Sequence, residues 1–462
     1  MAGETTMENP ISKKQKINED DDHHRSDQDD NDEEDSGSVD SYGFFSYNGY
    51  TSNDYSEEET TKTEPQQSEI TEPDLPNSTG IISKLPIEVF HDILSRVPLK
   101  TLSNCRFVNK SWYNSIKNPN FIKLHHKKVL QSISFSLIYH DITHPGEFSL
   151  INHENLESFD TEIVVYKAKL PRPLLVGMDS CNGLVCSRGK PYFVCNPVTG
   201  EHMVIPKPPL WDVEDVVNGF GYDTVKEVFK FVRVIKVVEN AEKCVTVAQL
   251  YNFSTGKWRL IPEVPYVFKD KENEESNVCV NGALHWLGCP VDKSGDSESI
   301  ISFRFDSEEF KQLLLPIPTS DRDCFGFRGT VRRFDQYLVV LGEFLCVVHE
   351  FRQEEIEVWI MKKYGLQSSW VKEYSIKDVT GSLDIYIEGE LETGPYKPLQ
   401  LMKNGKILML CSHHSLGYYD PYDGTLASIY TGTGDYVDSA LQPVLHMGSL
   451  ISPNSIGKLC KR

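Results

Sequence analysis

The feature that most constrains this chain is a turn that returns at a fixed interval. Asn196-Pro197-Val198-Thr199-Gly200 precedes a strand-like run over 201–206, and Asn252-Phe253-Ser254-Thr255-Gly256 precedes another over 257–262. A weaker copy starts at Asp306 and leads to Leu313-Leu314-Leu315-Pro316, and Asp420-Pro421-Tyr422-Asp423-Gly424 leads to Ala427-Ser428-Ile429-Tyr430. From 196 to 252, 306 and 420 the steps are 56, 54 and 114 residues, the last being two periods of 57. The missing unit is expected to turn near residue 363, between a strand over 356–361 and Trp370-Val371. Asn-Gly pairs at Asn182-Gly183, Asn281-Gly282 and Asn404-Gly405 each precede a further strand. Asn and Gly tolerate positive φ, which tight hairpins require. Single turns of this kind occur in any β protein. A shared period implies a repeated unit that must stack on its neighbours to bury its apolar faces.

Between the turns the texture is β, with short Val-, Ile-, Phe- and Tyr-rich runs such as 229–235, 245–251 and 338–341. Residues 127–456 span close to six periods. The expected fold is therefore mainly β, a kelch-like β-propeller of about six blades, with five to seven compatible and a β-sandwich array as the alternative. Kelch-type blades repeat at roughly 50 residues; their Gly-Gly dipeptides are absent here. Five blades fall between about 175 and 432. The sixth is expected to join strands from 132–139 and 162–166 to a closing strand near 444–451, so that the chain ends share one blade and no sheet edge stays open.

A helical module precedes this body, at residues 80–126. Pro86 suits the start of a helix, and Val89, Phe90, Ile93, Leu94 and Val97 recur at three- and four-residue spacing. Pro98 ends that helix and can open the next. Asn109 can cap a third through Trp112 and Ile116, with Pro119 just past its end. Three short helices bury little surface alone, yet apolar residues occupy more than one face. The surplus predicts either a protein partner or packing onto the following domain.

The pattern Leu85-Pro86-x-Glu88, then 93–102 (Ile-Leu-Ser-Arg-Val-Pro-Leu-Lys-Thr-Leu), then Phe107-Val108-x-Lys110-Ser111-Trp112 resembles an F-box. The resemblance implies a three-helix module that docks a Skp-family adaptor and, through it, a cullin-RING ubiquitin ligase. Carried onto this sequence, the implied adaptor contacts are Leu85, Pro86, Ile93, Leu94, Val97, Leu99, Leu102, Val108 and Trp112, some of which can serve the module's own core instead. Within the body, residues 179–186 (Asp-Ser-Cys-Asn-Gly-Leu-Val-Cys), Asn196-Pro197-x-Thr199-Gly200, Gly219-Phe220-Gly221-Tyr222-Asp223 and 280–287 (Val-Asn-Gly-Ala-Leu-His-Trp-Leu) resemble the F-box-associated domain of plant F-box proteins. That domain is similar to kelch-type propellers. The likeness covers most of 175–320 and thins afterwards.

Charge divides the chain. Residues 1–80 carry 22 acidic and 5 basic side chains of the chain's 68 and 47, which leaves 46 and 42 for the rest. The head, residues 1–79, has 12 acids and one Arg between Glu19 and Asp40 and is expected to be a disordered, solubilising tail. Its spaced aromatics, Tyr42 to Tyr55, could dock a basic partner; Lys13, Lys14 and Lys16 are an unspecific import patch. Residues 457–462 form a short C-terminal tail. A body without a basic stripe argues against nucleic-acid binding. No run approaches the ~18 apolar residues of a membrane helix, and the N-terminus lacks a signal-peptide core. Eleven cysteines without a C-x-x-C pair read as reduced thiols of the cytoplasm or nucleus.

Motifs for chemistry are missing. Gly256-Lys257 lacks the rest of a phosphate loop, His349-Glu350 and His153-Glu154 lack a second His, and no Gly-x-Ser-x-Gly occurs. His125-His126 and His413-His414 read as solvated or turn histidines, and Cys181, Cys186 and Cys195 as small core residues. No catalytic residue, metal or cofactor is expected. The reading is a non-catalytic substrate-recognition subunit, whose propeller holds a protein target near the ligase; the alternative is a propeller enzyme or carbohydrate-binding module with an incidental helical cap. Target capture is expected at loops of one mouth: 206–218 with Trp211, 319–333 with Arg322, Phe325, Arg328, Arg332 and Arg333, and 367–370 with Trp370.

Overall fold

A computed structural model describes residues 85–131, 135–140, 147–152, 165–169, 177–240, 243–261, 263–269, 277–291, 298–316, 335–351, 355–377, 386–387, 390–391, 396–412, 415–431 and 443–456. The acidic head, the C-terminal tail, His413-His414 and Arg322, Phe325, Arg328, Arg332 and Arg333 lie outside the described residues.

The chain opens with helices α1 (Ile87–Leu94), α2 (Leu99–Cys105) and α3 (Lys110–Ile116). Pro86 and Pro98 occupy the N-caps of α1 and α2. The Asn109 side chain accepts a hydrogen bond from Trp112 N at 3.0 Å, the expected cap of α3. Pro119 lies just past the end of α3, as expected, and it also opens a fourth helix that the sequence did not announce, α4 (Pro119–Gln131). Proline is as well suited to a first turn as to a stop, because its missing N–H is needed at neither place. The four helices share a core of Phe90, Leu94, Leu102, Ile116 and Phe121.

Six antiparallel sheets follow. They are β1 (Ser136–His140), β2 (Glu147–Asn152) and β3 (Val165–Lys169); β4 (Met178–Cys181), β5 (Leu184–Ser187), β6 (Phe193–Cys195) and β7 (His202–Val204); β8 (Asp215–Asp223), β9 (Val228–Asn240), β10 (Lys243–Asn252) and β11 (Lys257–Ile261); β12 (Tyr266–Phe268), β13 (Val278–Val280), β14 (Ala283–Pro290), β15 (Ser299–Arg304) and β16 (Glu309–Leu313); β17 (Asp335–Leu341), β18 (Phe344–Phe351), β19 (Glu355–Met361) and β20 (Trp370–Lys377); then, after a two-stranded β21 (Tyr386–Ile387) and β22 (Glu390–Leu391), β23 (Lys397–Leu401), β24 (Ile407–Ser412), β25 (Ser415–Asp420) and β26 (Thr425–Thr431). The last strand, β27 (Val444–His446), pairs antiparallel with β1 and completes the first sheet. β12 and β13 lie in line against β14.

Each sheet is one blade of a six-bladed propeller, and the apolar seams show that the ring is closed. Ile138 of the first blade packs with Met178, Val185 and Phe193 of the second. Similar clusters join the second to the third, the third to the fourth, the fourth to the fifth and the fifth to the sixth. Leu408, Leu410 and Leu416 of the sixth pack on Leu137 and Ile151 of the first. The ring therefore closes through packing as well as through the β27–β1 ladder.

The turns carry out the chemistry their residues suggest. Asn196 Oδ1 accepts from the N–H of Val198 and Thr199 at 2.8 and 3.1 Å, and Asn252 Oδ1 from Ser254 and Thr255 at 2.9 and 3.2 Å. Asp420 repeats the motif with Tyr422 N at 2.9 Å. The unit that the period places near 363 turns between β19 and β20, with Gly365 at φ 81°. Asn182-Gly183 and Asn281-Gly282 both have positive φ at each central residue, as a two-residue hairpin of this twist requires.

Candidate docking surfaces

In a four-stranded antiparallel meander, the turns after the first and third strands lie at one end of the blade, and the remaining connections lie at the other. The helical module sits on the first of these two faces. Ser103 Oγ donates to Val198 O at 3.4 Å, and Lys117 pairs with Glu201 at 3.4 Å, both beside the β6–β7 turn. Lys123 pairs with Glu227 at 2.7 Å in the β8–β9 turn, and Ile122 of α4 packs against the seam between the second and third blades.

This seating divides the apolar residues of the module. Leu94 and Leu102 are 2% and 0% exposed and belong to the helical core. Leu85, Val97, Leu99 and Trp112 are half-buried, with Trp112 edge-on to Phe90 at 5.2 Å. Pro86, Ile93 and Val108 are exposed. Ile87, Val89 and Phe107 join them at 50%, 45% and 78% exposure, although the motif-based set did not include them. Phe107-Val108 was visible as part of the motif; its exposure depends on how α2 and α3 meet. Ile93 on α1 and Phe107 and Val108 just after α2 are thus exposed apolar side chains of the module.

His125 is not a solvated histidine. It is 3% exposed, on the inner side of α4, with its ring 6.1 Å from Phe121. Burial, followed by the neighbouring His126 and Lys128, pushes its pKa down to about 4. Cys186 and Cys195 are buried, Cys181 is half-buried, and burial raises all three thiols. They are small core residues, as expected, and not activated nucleophiles.

The opposite face of the propeller carries the loops between blades. The 206–214 loop, between β7 and β8, is fixed by side chains from neighbouring strands. Arg233, fully buried, pairs with Asp215 at 2.7 Å and donates to Val213 O at 2.5 Å and Leu210 O at 3.3 Å. Lys190 donates to the carbonyls of Trp211 and Val213 at 2.8 Å each, and Gln249 to Pro209 O at 2.7 Å. The Tyr192 hydroxyl also donates to Asp215. The loop thus presents Leu210, 48% exposed, next to a half-buried Trp211 whose ring faces Lys190 and Lys207 at 5.4 and 5.7 Å.

Trp370 does not join this face, which corrects the grouping of 367–370 with the other loops. Residues 367–370 lie in the turn between the third and fourth strands of their blade, so they are on the module's side of the ring. Trp370 itself is 8% exposed, packs with Leu287, Ile300 and Leu345, and donates its indole N–H to Leu314 O at 2.9 Å. It is a core residue, and its polar atom is already used.

A cavity of about 210 Å³ lies between the blades, lined from the edge strands of all six sheets by, among others, Ser180, Phe220, Cys279, Val339, Leu399 and Leu445. Asp179 spans its polar side, accepting from Arg188 Nε at 2.8 Å and Phe220 N at 3.0 Å. Among the described residues, no cluster of three His, Cys, Asp or Glu could hold a metal, and no helix is long and apolar enough to cross a membrane.

This combination of a helical module seated on a propeller face defines a class of protein, and comparison with known families identifies it. Residues 138–437 match the F-box associated beta propeller domain, and residues 82–124 match the F-box domain. The chain belongs to the family of F-box proteins with an F-box associated β-propeller. Its relatives include an Arabidopsis thaliana F-box protein, 26% identical over 80% of this chain and 92% of the relative. F-box protein CPR1 of the same plant is 27% identical over 64% and 74% of the two chains, and an Arabidopsis F-box/kelch-repeat protein is 24% identical over 80% and 96%.

Proposed function

We propose that this protein is the substrate-recognition subunit of a Skp–cullin–F-box ubiquitin ligase, non-catalytic in itself and acting in the cytoplasm or nucleus. The observation that carries this reading is the exposure of five apolar side chains, Ile87, Val89, Ile93, Phe107 and Val108, on a helical module that is itself seated on the propeller. Such side chains suit an apolar partner, which for an F-box is a Skp-family adaptor linked to a cullin-RING ligase. The target is a protein held on the far face, where Trp211 and Leu210 stand on a braced loop; Arg322, Phe325, Arg328, Arg332 and Arg333 remain candidates from the sequence and lie outside the described residues. Braced aromatics flanked by cations make good anchors because little side-chain entropy is lost on binding. The ligase would gain rate from proximity, with target lysines held near the ubiquitin-loaded enzyme.

The test is affinity purification with the proteasome inhibited, comparing the full chain with one lacking residues 83–112. The full chain should recover a Skp-family adaptor, a cullin and one or more targets, and the deletion should lose the first two while keeping the targets. Equal recovery of adaptor by both chains would refute the assignment. Charge reversal of Arg328, Arg332 and Arg333 that leaves target recovery intact would remove that loop from the target surface.

A further inference from the structure

After β27 the chain runs back between the helical module and the second blade, and its side chains alternate between the two. Ser449 is fully buried against the propeller, with its Oγ 3.4 Å from Gly183 O. Leu450, 6% exposed, points the other way and joins Phe90, Leu94, Leu102, Ile116 and Phe121 in the helical core. Ile451 turns back into the seam between the second and third blades, where Ile456 also packs beside Ile122 of α4. This is the period of an extended strand read on two faces at once.

The fit is close on both sides. At Gly183, held at φ 77°, an added Cβ would lie 2.2 Å from Ser449 Oγ. At Gly448 an added Cβ would lie 2.4 Å from Leu99 Cδ2 in α2 and 3.3 Å from Val198 Cγ2 in the β6–β7 turn. No side chain fits at either glycine without moving a neighbour. Asn196, 1% exposed, fixes the register: its Nδ2 donates to Ser449 O at 2.9 Å and to Ile451 O at 2.8 Å, while its Oδ1 shapes its own turn. One side chain therefore serves a propeller turn and the path of the C-terminal segment.

We infer that residues 447–456 are a clamp that completes the F-box core and holds the module at a fixed orientation on the propeller. A helical module of this size is marginal alone, and here part of its core comes from Leu450, more than 300 residues away in the sequence. The adaptor surface and the far propeller face then belong to one rigid body, so the distance between adaptor and target is set by the fold and not by a linker. Leu450 and Asn196 are positioning residues. The consequence for ubiquitin transfer rests on the proposed ligase function, but the clamp itself is tested without an adaptor or target.

The experiment uses the full chain with Leu450→Ala, Leu450→Met and Asn196→Ala. Hydrogen exchange is followed in α1–α3 and in β15–β16, and distances are measured between genetically encoded spin labels at exposed positions 114 and 255. Leu450→Ala should speed exchange in α1–α3 by about tenfold or more while β15–β16 keep their protection, since local opening can be decoupled from global unfolding. Leu450→Met should restore protection. Asn196→Ala should broaden the distance distribution. Unchanged exchange and unchanged distances in Leu450→Ala and Asn196→Ala would overturn the clamp, and so would equal acceleration in β15–β16, which would mean the segment stabilises the whole fold and not the seating of the module. Adaptor binding is a separate readout: if the clamp measurements succeed and no adaptor binds even the wild type, the ligase reading fails and the clamp stands.

Discussion

Lys230→Met should separate the third and fourth blades energetically, and its effect should depend on pH in a defined direction. Lys230 is fully buried, and its ammonium donates to Asp223 at 2.8 Å, to Glu308 at 2.6 Å and to Phe305 O at 2.6 Å. Asp223 lies on the third blade, and Phe305 and Glu308 on a turn of the fourth, so one cation ties the seam. Methionine keeps much of the volume but removes the charge. Arg259 still reaches Glu308. Asp223, whose side chain is 0% exposed, keeps the N–H groups of Val225 and Lys226 at 3.0 and 2.9 Å, but its remaining cation is Lys226 at 4.0 Å, itself 57% exposed. Removing one member of a buried pair costs about 3–5 kcal/mol, a large share of the ~5–15 kcal/mol that holds a typical domain together. In the wild type, burial pushes the Asp223 and Glu308 carboxyls up, but hydrogen bonds and charge from Lys230 outweigh it and hold both below the ordinary value. Their contribution is present above the usual carboxylate range and lost as pH falls through the lowered pKa values. In Lys230→Met the two backbone N–H bonds to Asp223 remain but the downward pull of Lys230 is lost, so burial weighs more heavily on the carboxylate, and that cost is present at neutral pH and relieved by protonation. The stability gap between wild type and variant should be widest near pH 7 and narrow towards pH 4. Urea unfolding at the two pH values reads it directly. A gap below about 1 kcal/mol at pH 7, or one that does not narrow in acid, would refute the reasoning, since a buried carboxylate that has lost its close cation costs more than this.

Four further substitutions have defined outcomes. Phe107→Ala removes a 78% exposed ring and should weaken adaptor binding by about 2 kcal/mol, roughly 30-fold by calorimetry, without moving the unfolding midpoint; Leu94→Ala, in the helical core, should instead destabilise the module by about 2–5 kcal/mol, and equal behaviour of the two would show that the surface and core assignments are wrong. His285 is fully buried, with Nε2 at 2.7 Å from the Tyr364 hydroxyl, and burial lowers its pKa to about 4. Its folded pKa lies below the unfolded one, so the stability tied to its neutral form is present above about pH 6.5 and lost as pH falls towards 4, by roughly 3 kcal/mol at 1.36 kcal/mol per pKa unit. His285→Gln should flatten the stability curve over that window, and an unchanged slope would contradict the burial. Gly221→Ala would place a Cβ 2.0 Å from Phe305 Cε2; overpacking of this kind costs about 1–3 kcal/mol, so a thermal scan that shows no loss would mean the seam is looser than it is drawn.

Much of the architecture was legible before any coordinates. Asn196, Asn252 and Asp420 close their turns through bonds to residues two or three positions ahead, so the signal is contained in a few neighbouring letters. Asn109 caps α3 in the same local way. The count of six blades followed from the interval between such turns. The helix α4 was not announced because a proline past the end of one helix does not say whether another begins there. The first blade was seen only in part: strands near 136 and 165 and the closing strand were expected, whereas β2 (Glu147–Asn152) carries no recurring turn to announce it.

Local chemistry therefore determined the turns, the period, the helix caps and the two-part organisation, because each is decided by residues within about five positions of one another. The tertiary structure alone decided which apolar residues are core and which are surface. Leu94 and Ile93 are adjacent and equally apolar, yet one is 2% and the other 49% exposed. It also decided that Trp370 faces inward, that Lys230 is buried among three acceptors, and that Leu450 ends in the core of a module at the other end of the chain. Burial is a property of contacts made by segments 50 to 350 residues apart, and neither periodicity nor propensity carries information about partners at that distance.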